Sequence, residues 1–397
     1  MKKLGFVVLF FLSIVLLAGC QEATPTEDTF LVKVKDFAGE VILSEDVVYP
    51  ENTEFSLLEL IDEAVDLDYE LSQYGAFIKG VGGHYPKEYG VTFNYWWGLY
   101  VNDVMSSTGL DQIAYEEDMV IEFRESTMLS EFDLEMNAYI DTFLANLTDD
   151  YLNETVMSQY VLAAIKQLGF YGYDIPDLKA ITYPTFDDSS IGNMFKSALV
   201  MNAKDETPSE SFLTTFLGLQ VTNPYDAVTY LNAFDVLYGT ELNEKRNTVV
   251  SYLLTEQPSF MDADFAGMAL MAVSSVKDSE AGTSIVNAMV DYILENMSKD
   301  GVVSWGNANA SSTSAVILGL LAIGEDPRSE AYTIDGIDLM EALMLYQGDA
   351  GFRYLLNDDL DDLAFSTPQS FAALVAYRIV RDQLAYTTHQ LNLWLVA

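Results

Sequence analysis

Residues 309–324 read NASSTSAVILGLLAIG, and this stretch decides how most of the chain folds. Small polar residues at its start are typical of a helix N-terminus, and Gly324 lies where a helix should end. The body between them carries no charge, so a helix formed here is expected to be buried on most sides. Residues 262–273, DADFAGMALMAV, and 365–377, FSTPQSFAALVAY, repeat the pattern of a polar start and an Ala-rich body.

Apolar residues recur with helical spacing in almost every segment from about Phe132 onward. Units that recur about every fifty residues indicate a helical repeat closing on itself. The Ala-rich helices would form the inner layer of a double-layered ring, and we predict an all-α (α/α)6 toroid over residues 131–397. The predicted helices are 132–147, 155–169, 189–203, 209–219, 225–238, 244–255, 262–276, 282–297, 311–323, 335–347, 366–382 and 384–395.

Residues 30–126 have the pattern of a β-rich domain. Near-alternating apolar and β-branched residues predict strands in LVKVKDF, GEVILSEDVVY, AFIKGVGG, VTFNYWWGLYVNDV and DMVIEF. The segment FSLLELIDEAVDL has helical spacing of its apolar residues. We predict a small, ubiquitin-like α+β domain, which makes the whole chain a multidomain α+β protein.

The N-terminus is typical of a lipoprotein signal. Two lysines precede an apolar run, and small residues then lead to Cys20. We predict that residues 1–19 are removed, that Cys20 is acylated, and that residues 20–29 form a tether. The apolar run is about 14 residues long, short of the roughly 20 that a membrane span needs. The mature protein is therefore expected on the outer face of a bacterial cell membrane, held by lipid.

Charge and cysteine content exclude several classes of protein. The chain has 19 Lys and Arg against 61 Asp and Glu, a formal net charge of −42. Such a chain is repelled by nucleic acid and by anionic lipid head groups, so no nucleic-acid partner is expected. Cys20 is the only cysteine, which excludes disulfides within the chain and thiolate chemistry in the predicted toroid.

The three Ala-rich segments resemble the α/α toroid shared by prenyltransferases, terpene cyclases and the cobalamin carriers intrinsic factor and transcobalamin. DADFAGMALMAV is similar to the carriers' DTGAMA-type helix start, and ASSTSAVILGLLAIG is similar to their Ser-Thr segment. FSTPQSFAALVAY is similar to a polar segment with proline that opens another inner helix. The resemblance implies ligand contacts from Asp264, Asn309, Ser312, Thr313, Thr367 and Gln369.

The N-terminal domain strengthens this resemblance. YGAFIKGVGG and FNYWWGLYVNDVMSSTGLDQ resemble the small β-domain, DUF4430-like, that accompanies the toroid in those carriers. In that family the corrinoid lies between the two domains, although here the β-domain comes first and the carriers' disulfides are absent. The resemblance implies further ligand contacts from Tyr95, Trp96, Trp97 and Leu99.

The resemblance implies a binding protein that offers cobalamin or a related corrinoid to a membrane transporter, with no catalytic residue and no catalytic cofactor. The only histidines, His84 and His389, match no cobalt-contacting position. Contact through amides and apolar surface is therefore expected instead of an imidazole ligand to cobalt.

The same residues also have structural interpretations. Asp, Ser and Thr are the usual helix N-caps whatever the function, and strands are rich in aromatic residues whether or not they bind a ligand. Capping and core packing therefore remain open as the roles of the candidate residues.

An enzyme on the toroid is the main alternative function. Residues 359–362, DLDD, spell the D-x-D-D string with which terpene cyclases protonate an isoprenoid, but their polar surroundings favour a solvated loop, with a weak calcium site as a further interpretation. No metal site is predicted, because the prenyltransferase zinc site needs a cysteine and neither histidine has a partner at ligand spacing. A glycan-cleaving enzyme and a surface adhesion or assembly module also remain open.

Overall fold

The computed structural model describes residues 28–50, 54–73, 75–147, 159–241, 243–256, 261–384 and 390–395. The chain divides into two compact units, residues 1–128 and residues 129–397, called here the N-terminal unit and the helical unit. The predicted signal peptide and Cys20 lie outside the described residues. Within the described residues, no helix has the length and apolar character needed to cross a membrane.

The N-terminal unit is a β-rich α+β domain, as predicted. Its elements are β1 Asp28–Lys35, β2 Val41–Tyr49, α1 Leu57–Val65, β3 Leu67–Ser72, β4 Gly75–Val81, β5 Tyr95–Val101, β6 Val104–Met105 and β7 Val120–Thr127. Because β1 begins at Asp28, the last two residues of the predicted tether belong to the sheet.

A five-stranded sheet in the order β2-β1-β7-β5-β6 forms the body of this unit. β1 and β7 are parallel neighbours, the other pairs are antiparallel, and β3 and β4 form a separate hairpin. The start of α1 is fixed by a capping box, in which Ser56 and Glu59 each bind the other's backbone N–H. The apolar side of α1 is buried, through Leu57, Leu58, Leu60, Ile61 and Val65.

The helical unit contains eleven α-helices among its described residues. They are α2 Glu131–Asn146, α3 Gln159–Phe170, α4 Ile191–Ala203, α5 Glu210–Gly218, α6 Pro224–Tyr238, α7 Glu244–Glu256, α8 Ala263–Val273, α9 Glu280–Glu295, α10 Ala310–Ile323, α11 Leu339–Met344 and α12 Ser366–Ile379. All fourteen residues of α10 are buried, as its charge-free sequence predicts.

The twelfth predicted helix, 384–395, is wrong for the residues that the structure describes. The chain leaves α12 through a π-helix, Val380–Leu384, and residues 390–395 are not helical. These six residues, called here the C-terminal plug, are mostly apolar, and residues 391–394 are buried. Apolar spacing alone cannot distinguish such a tail from a short helix.

Short strands within the helical unit were not predicted. β8 Met297–Ser298, β9 Gly301–Ser304 and β10 Asn307–Ala308 form a three-stranded sheet before α10, and β11 Thr333–Ile334 pairs with β12 Ile337–Asp338 before α11. Trp305 and Gly306 turn the chain between β9 and β10 with positive φ values of 55° and 89°. This two-residue turn matches the twist of a hairpin.

Six helices of this unit pack in a closed series. In chain order α3, α4, α6, α8, α10 and α12 each pack against the next, and α12 packs against α3. The closest approach is between α8 and α10, where a Cβ atom on Gly267 would clash with the backbone of Ala315. Other helices pack against members of this series from outside it: α2 on α12, α7 on α6, α9 on α8 and α11 on α10.

The C-terminal plug closes the C-terminal ends of these helices. Asn392 Nδ2 donates hydrogen bonds to the Met271 carbonyl oxygen at 3.0 Å and to Ser274 Oγ at 2.8 Å, at the end of α8. Gln167 Nε2, near the end of α3, donates to the carbonyl oxygens of residues 393 and 395 at 3.0 and 2.9 Å. The plug thereby replaces the partners that a continuing helix would supply.

Trp394 carries the plug into the interior of the helical unit. Its side chain is 1% exposed, and its ring lies 5.3 Å from that of Tyr160 on α3 and 5.1 Å from that of Phe195 on α4. A cavity of only about 10 Å³ lies beside it, too small for more than a single water molecule. The space around Trp394 is therefore filled.

Candidate functional site

Four polar side chains near the starts of four helices of the closed series form what we call the rim cluster. They are Tyr160 on α3, Asp264 on α8, Ser312 on α10 and Gln369 on α12. Three of them, Asp264, Ser312 and Gln369, are predicted site residues. Sequence analysis missed Tyr160, whose helix start carries no polar motif comparable to those of the Ala-rich segments.

Asp264 and Ser312 are joined directly. Ser312 Oγ donates a hydrogen bond to Asp264 Oδ2 at 3.0 Å. Burial raises the pKa of Asp264, and the neighbouring Asp262 adds to the rise while the Ser312 hydrogen bond opposes it. Among the residues that the structure describes, no Lys or Arg pairs with Asp264. The carboxyl group is thus held without a neutralising cation.

Tyr160 and Gln369 form the second pair of the rim cluster. The Tyr160 side chain is 8% exposed, and the nearby Gln369 side chain opposes the rise in its pKa. Burial raises the pKa of Tyr160, and the charge of Asp264 raises it further. Gln369 Oε1 is buried without a hydrogen-bond partner in the described part of the chain. A buried amide oxygen of this kind is an available acceptor.

Two more tyrosines lie near Asp264. Tyr225, at the start of α6, donates its hydroxyl to both carboxylate oxygens of Asp262, at 3.0 and 2.8 Å. Tyr354, in the loop before α12, is 39% exposed, and its pKa is raised by burial and then by the charge of Asp264. The surroundings of Asp264 therefore combine phenol groups with carboxylates.

The cap of α8 is Asp262 and not Asp264. Asp262 Oδ1 accepts a hydrogen bond from the backbone N–H of Phe265 at 2.8 Å. Asp264 lies in the first turn and is not the N-cap residue; its carboxylate contacts the Ser312 hydroxyl.

Asn309, Thr313 and Thr367 have structural roles. Asn309 is the fully buried N-cap of α10 and accepts from the backbone N–H of Ser312 at 2.8 Å. Thr313 Oγ1 accepts from the backbone N–H of Val302 at 3.0 Å, which ties α10 to β9. Thr367 Oγ1 accepts in the same way from residue 352 at 2.8 Å. The two threonines thus hydrogen-bond the chain that leads into their helices, and Asn309 caps its own helix.

The two threonines take part in the same arrangement, a close contact between a glycine and a threonine hydroxyl, which sequence analysis missed. Gly301 precedes Val302, and Gly351 precedes Phe352. A Cβ atom on either glycine would clash with the threonine hydroxyl of the following helix. This contact could have been predicted from a sequence pattern. In both cases a glycine and then an apolar residue occur a dozen or more residues before a threonine at the start of a helix.

The acidic loop at residues 359–362 is only partly solvated. Asp361 Oδ2 accepts from the backbone N–H of Ala350 at 2.7 Å and of Gly351 at 3.0 Å. Asp362 accepts from three successive backbone N–H groups at the start of α12, those of residues 364, 365 and 366. The solvated interpretation is therefore wrong for these two carboxylates: Asp362 supplies acceptors for the free N–H groups at the start of α12, and Asp361 binds the loop at residues 350 and 351.

Neither a histidine nor a metal cluster is found at the candidate site. His84 lies in the N-terminal unit, where its backbone pairs with Val81, and His389 lies outside the described residues. In the described ranges, no group of three or more His, Cys, Asp or Glu residues is placed to hold a metal ion.

The predicted aromatic contacts of β5 divide between the two faces of the sheet. Trp97, 7% exposed, belongs to the core of the N-terminal unit, and Leu99 packs against that core. Tyr95 is also buried, with its ring edge-on to Phe37 at 6.0 Å. Trp96 points to the opposite face and is half-buried. Core packing therefore explains Trp97 and Leu99, and Trp96 remains as a candidate contact.

The face that carries Trp96 also holds an ionic cluster. Lys35 Nζ lies 2.7 Å from Glu122 Oε1, and Arg124 pairs with the same carboxylate. Burial alone would raise the pKa of Glu122, but the hydrogen bonds from Lys35 and Arg124 outweigh it and the pKa is lowered. The Arg124 guanidinium also lies 4.1 Å from the centre of the Tyr100 ring.

Comparison with known families identifies the N-terminal unit. Residues 55–127 match the model of DUF4430, a domain of unknown function. The match runs from just before α1 to the end of β7, and it confirms the DUF4430-like domain expected from the sequence. No curated protein matches the chain.

Proposed function

We propose that this protein is a lipid-anchored binding protein of the bacterial surface, with an (α/α)6 toroid that takes a small molecule at the rim cluster. The ligand class that the sequence resemblance favours is cobalamin or a related corrinoid, for delivery to a membrane transporter. Acylation of Cys20 would supply the anchor.

The closed series of six helices supports the toroid. An (α/α)6 toroid has six inner helices that alternate along the chain with outer ones. The series from α3 to α12 closes on itself, and α2, α7, α9 and α11 pack outside it. Irregular chain with turns between residues 171 and 190 lies where one outer helix would be expected.

The binding proposal rests on one observation: two polar groups of the rim cluster have acceptor positions that no described residue of the chain fills. Asp264 has no cation, and Gln369 Oε1 has no hydrogen-bond partner among the described residues. Both groups accept hydrogen bonds, so a ligand that presents amide N–H groups would satisfy them. The corrin ring carries a fringe of such amides.

The cyclase alternative has less support. Protonation of an isoprenoid needs a carboxyl group free to release a proton into an apolar cavity. Asp361 and Asp362 instead hold backbone N–H groups, and exchanging them for a substrate would open the start of α12. No specific observation favours the adhesion or glycan-cleaving functions.

Titration of cyanocobalamin into the soluble chain, residues 21–397, tests the proposal. We expect saturable binding, visible in the corrinoid absorption spectrum. Asp264→Ala should weaken it by about 5- to 150-fold, the equivalent of about 1–3 kcal/mol for losing a buried hydrogen bond to a charged acceptor.

Ser314→Ala is the matched control. Ser314 lies buried on α10 within one turn of Ser312, but its Oγ contacts Ser370 at 3.0 Å instead of the rim cluster. Its binding should stay within about twofold of the wild type. Absence of binding by the wild-type chain, or equal losses in both variants, would contradict the proposal.

A further inference from the structure

A cavity of about 620 Å³, called here the α2 cavity, lies between α2 and the loop that leads into α12. Six residues of α2 line it, at positions 135, 138, 139, 142, 143 and 146, and this spacing places them on one face of the helix. Residues 347–350, together with Leu147 and Leu363, form the rest of the described wall. The volume falls in the range of about 300–1,000 Å³ that is usual for small-molecule sites. No residue of the rim cluster is among the described residues that line it.

Two aromatic rings of α2 line the cavity, and buried rings hold both of them in place. Phe143 stacks on Phe371 of α12, with ring centres 4.2 Å apart. Tyr139 lies edge-on to Phe352 at 5.1 Å. Phe352 and Phe371 are fully buried, whereas the two rings of α2 are partly exposed. A ligand in the cavity therefore meets aromatic surface whose position is set by the fold.

The loop that forms part of the wall is also fixed by the fold. Asp361 Oδ2 accepts from the backbone N–H groups of Ala350 and Gly351. The Gly348 N–H donates to the Gly351 carbonyl oxygen at 2.8 Å, and a Cβ atom on Gly348 would clash with Asp361 Oδ1. The turn is thus wrapped around the Asp361 carboxylate. A wall that is shaped in advance lowers the cost of ordering it around a ligand.

The charged groups at the cavity are negative and unpaired. Among the described residues that line it, the charged ones are Glu135 and Asp349, and both are exposed. Neither forms a hydrogen bond or an ion pair with its side chain in the described chain. Residues 129–165, which include all of α2, contain no Lys or Arg. Arg353, the basic residue nearest in sequence to Asp349, donates to the carbonyl oxygens of residues 345, 347 and 356 instead.

Glu135 differs in this respect from two other acids of α2. Asp133 pairs with Arg381 at 2.8 Å, and Asp141 pairs with Arg378 at 2.9 Å. Both arginines follow from the C-terminal part of α12 and the π-helix after it. These pairs join α2 to the helical unit, whereas the carboxylate of Glu135 faces the cavity without a cation.

We propose that the α2 cavity binds a small organic cation, an ammonium group on an apolar body. The apolar body packs on Tyr139, Phe143 and Leu363, and the ammonium group lies near Glu135 and Asp349. Aromatic faces and carboxylates both attract a cation, and the carboxylates repel an anion. This site is independent of the rim cluster and of the corrinoid.

Three probes that share one apolar body test the site. Phenylbutylamine, phenylbutanol and phenylbutyrate carry a positive, a neutral and a negative group at neutral pH. Each is titrated by calorimetry into the intact soluble chain, residues 21–397. We expect the amine to bind at least about tenfold more tightly than the alcohol, and phenylbutyrate to give no measurable binding. The advantage of the amine should fall between low and physiological salt, because salt screens exposed charges.

Two variants separate the charges from the cavity itself. Glu135→Gln with Asp349→Asn should bring the Kd of the amine to within about threefold of that of the alcohol, with binding of the alcohol unchanged. Ala138→Trp should weaken binding of both probes at least about tenfold, because it fills the cavity from an exposed position of α2. As a control, Asp291→Asn with Glu295→Gln removes two exposed carboxylates of α9 and should leave the Kd of the amine within about twofold.

Equal binding of the amine and the alcohol would overturn the proposal, as would binding of phenylbutyrate as tight as that of the amine. An unchanged Kd in Ala138→Trp would place the amine elsewhere and would also overturn it, and so would the absence of binding of all three probes. Circular dichroism checks that each variant is folded. If Ala138→Trp does not fold, Thr142→Trp, at an exposed position on the same face of α2, makes the same comparison.

Discussion

The polar side chains at the two ends of the helices in the closed series have different partners. At the C-terminal ends, the buried Asp235 pairs with Arg246 at 2.6 Å and accepts a hydrogen bond from Asn392 at 3.1 Å. At the N-terminal ends, Asp264 has no cation, and Gln369 Oε1 has no partner in the described structure. The buried carboxylate at the plug is paired with a cation and an amide of the same chain, although Arg246 Nε and Trp394 Nε1 there have no hydrogen-bond partner among the described residues. The carboxylate at the rim, Asp264, forms no ion pair in the described chain and contacts the Ser312 hydroxyl.

Trp394 lies between these two ends. Its ring contacts Tyr160, which belongs to the rim cluster, while its neighbour Asn392 belongs to the plug. Trp394 therefore links the packing of the plug to that of the rim cluster.

The largest expected effect is at the plug. Arg246→Met leaves Asp235 buried without its cation, and we expect a loss of about 3–5 kcal/mol in the free energy of unfolding. Burial raises the pKa of Asp235 to about 7 against the opposing effects of Arg246 and Asn392. Urea unfolding at pH 8, where the wild-type carboxyl is ionised, measures the loss.

Lys245→Met is the control for this substitution. Lys245 is the neighbouring residue and donates one hydrogen bond to the Leu219 carbonyl oxygen at 3.0 Å, without a buried carboxylate partner. Its loss should stay within about 1 kcal/mol. Similar losses in the two variants would show that the Asp235–Arg246 pair is not specially required.

Substitution of one amide side chain at the plug and one at the rim tests the comparison between the two ends. The expected effect at the plug is of intermediate size. Asn392→Ala removes a donor from three buried acceptors, so we expect a loss of about 1–3 kcal/mol in the free energy of unfolding. Gln369→Ala removes a side chain whose oxygen is unpartnered, and we expect a change within about 0.5 kcal/mol. A larger loss at Gln369 than at Asn392 would reverse the assigned roles of the two ends.

The sequence was most informative where the signal is local. Predicted helices at 262–276, 311–323 and 366–382 correspond to Ala263–Val273, Ala310–Ile323 and Ser366–Ile379. Polar starts and charge-free bodies identify such helices because capping and burial both act within a few residues.

The sequence was less informative about residues whose roles depend on partners far away in the chain. Whether Asp262 or Asp264 is the cap depends on a register of two residues, and the role of Asp264 depends on Ser312, 48 residues away. Burial of the plug depends on partners such as Gln167, which is more than 200 residues distant. Asp362 was misread because its backbone partners are set by where α12 begins.

The most direct test of the account is the pH dependence of stability in Asp264→Asn. The native pKa of Asp264 lies above its ordinary value of 3.8, so ionisation penalises the folded state as the pH rises from 3.8 through that native pKa. Below pH 3.8 the carboxyl is protonated in both states and the penalty is absent. Asparagine can keep the oxygen that Ser312 contacts and avoids the penalty altogether.

Urea unfolding of wild type and Asp264→Asn between pH 4 and pH 8 measures this. We expect the variant to be at least as stable as the wild type at pH 8, with a stability difference that grows from pH 4 upward and then levels off. A variant that is less stable by about 1 kcal/mol or more at pH 8, with a deficit that deepens as pH rises, would show that the ionised carboxylate holds the fold together. That result would contradict the claim that Asp264 is reserved for a ligand.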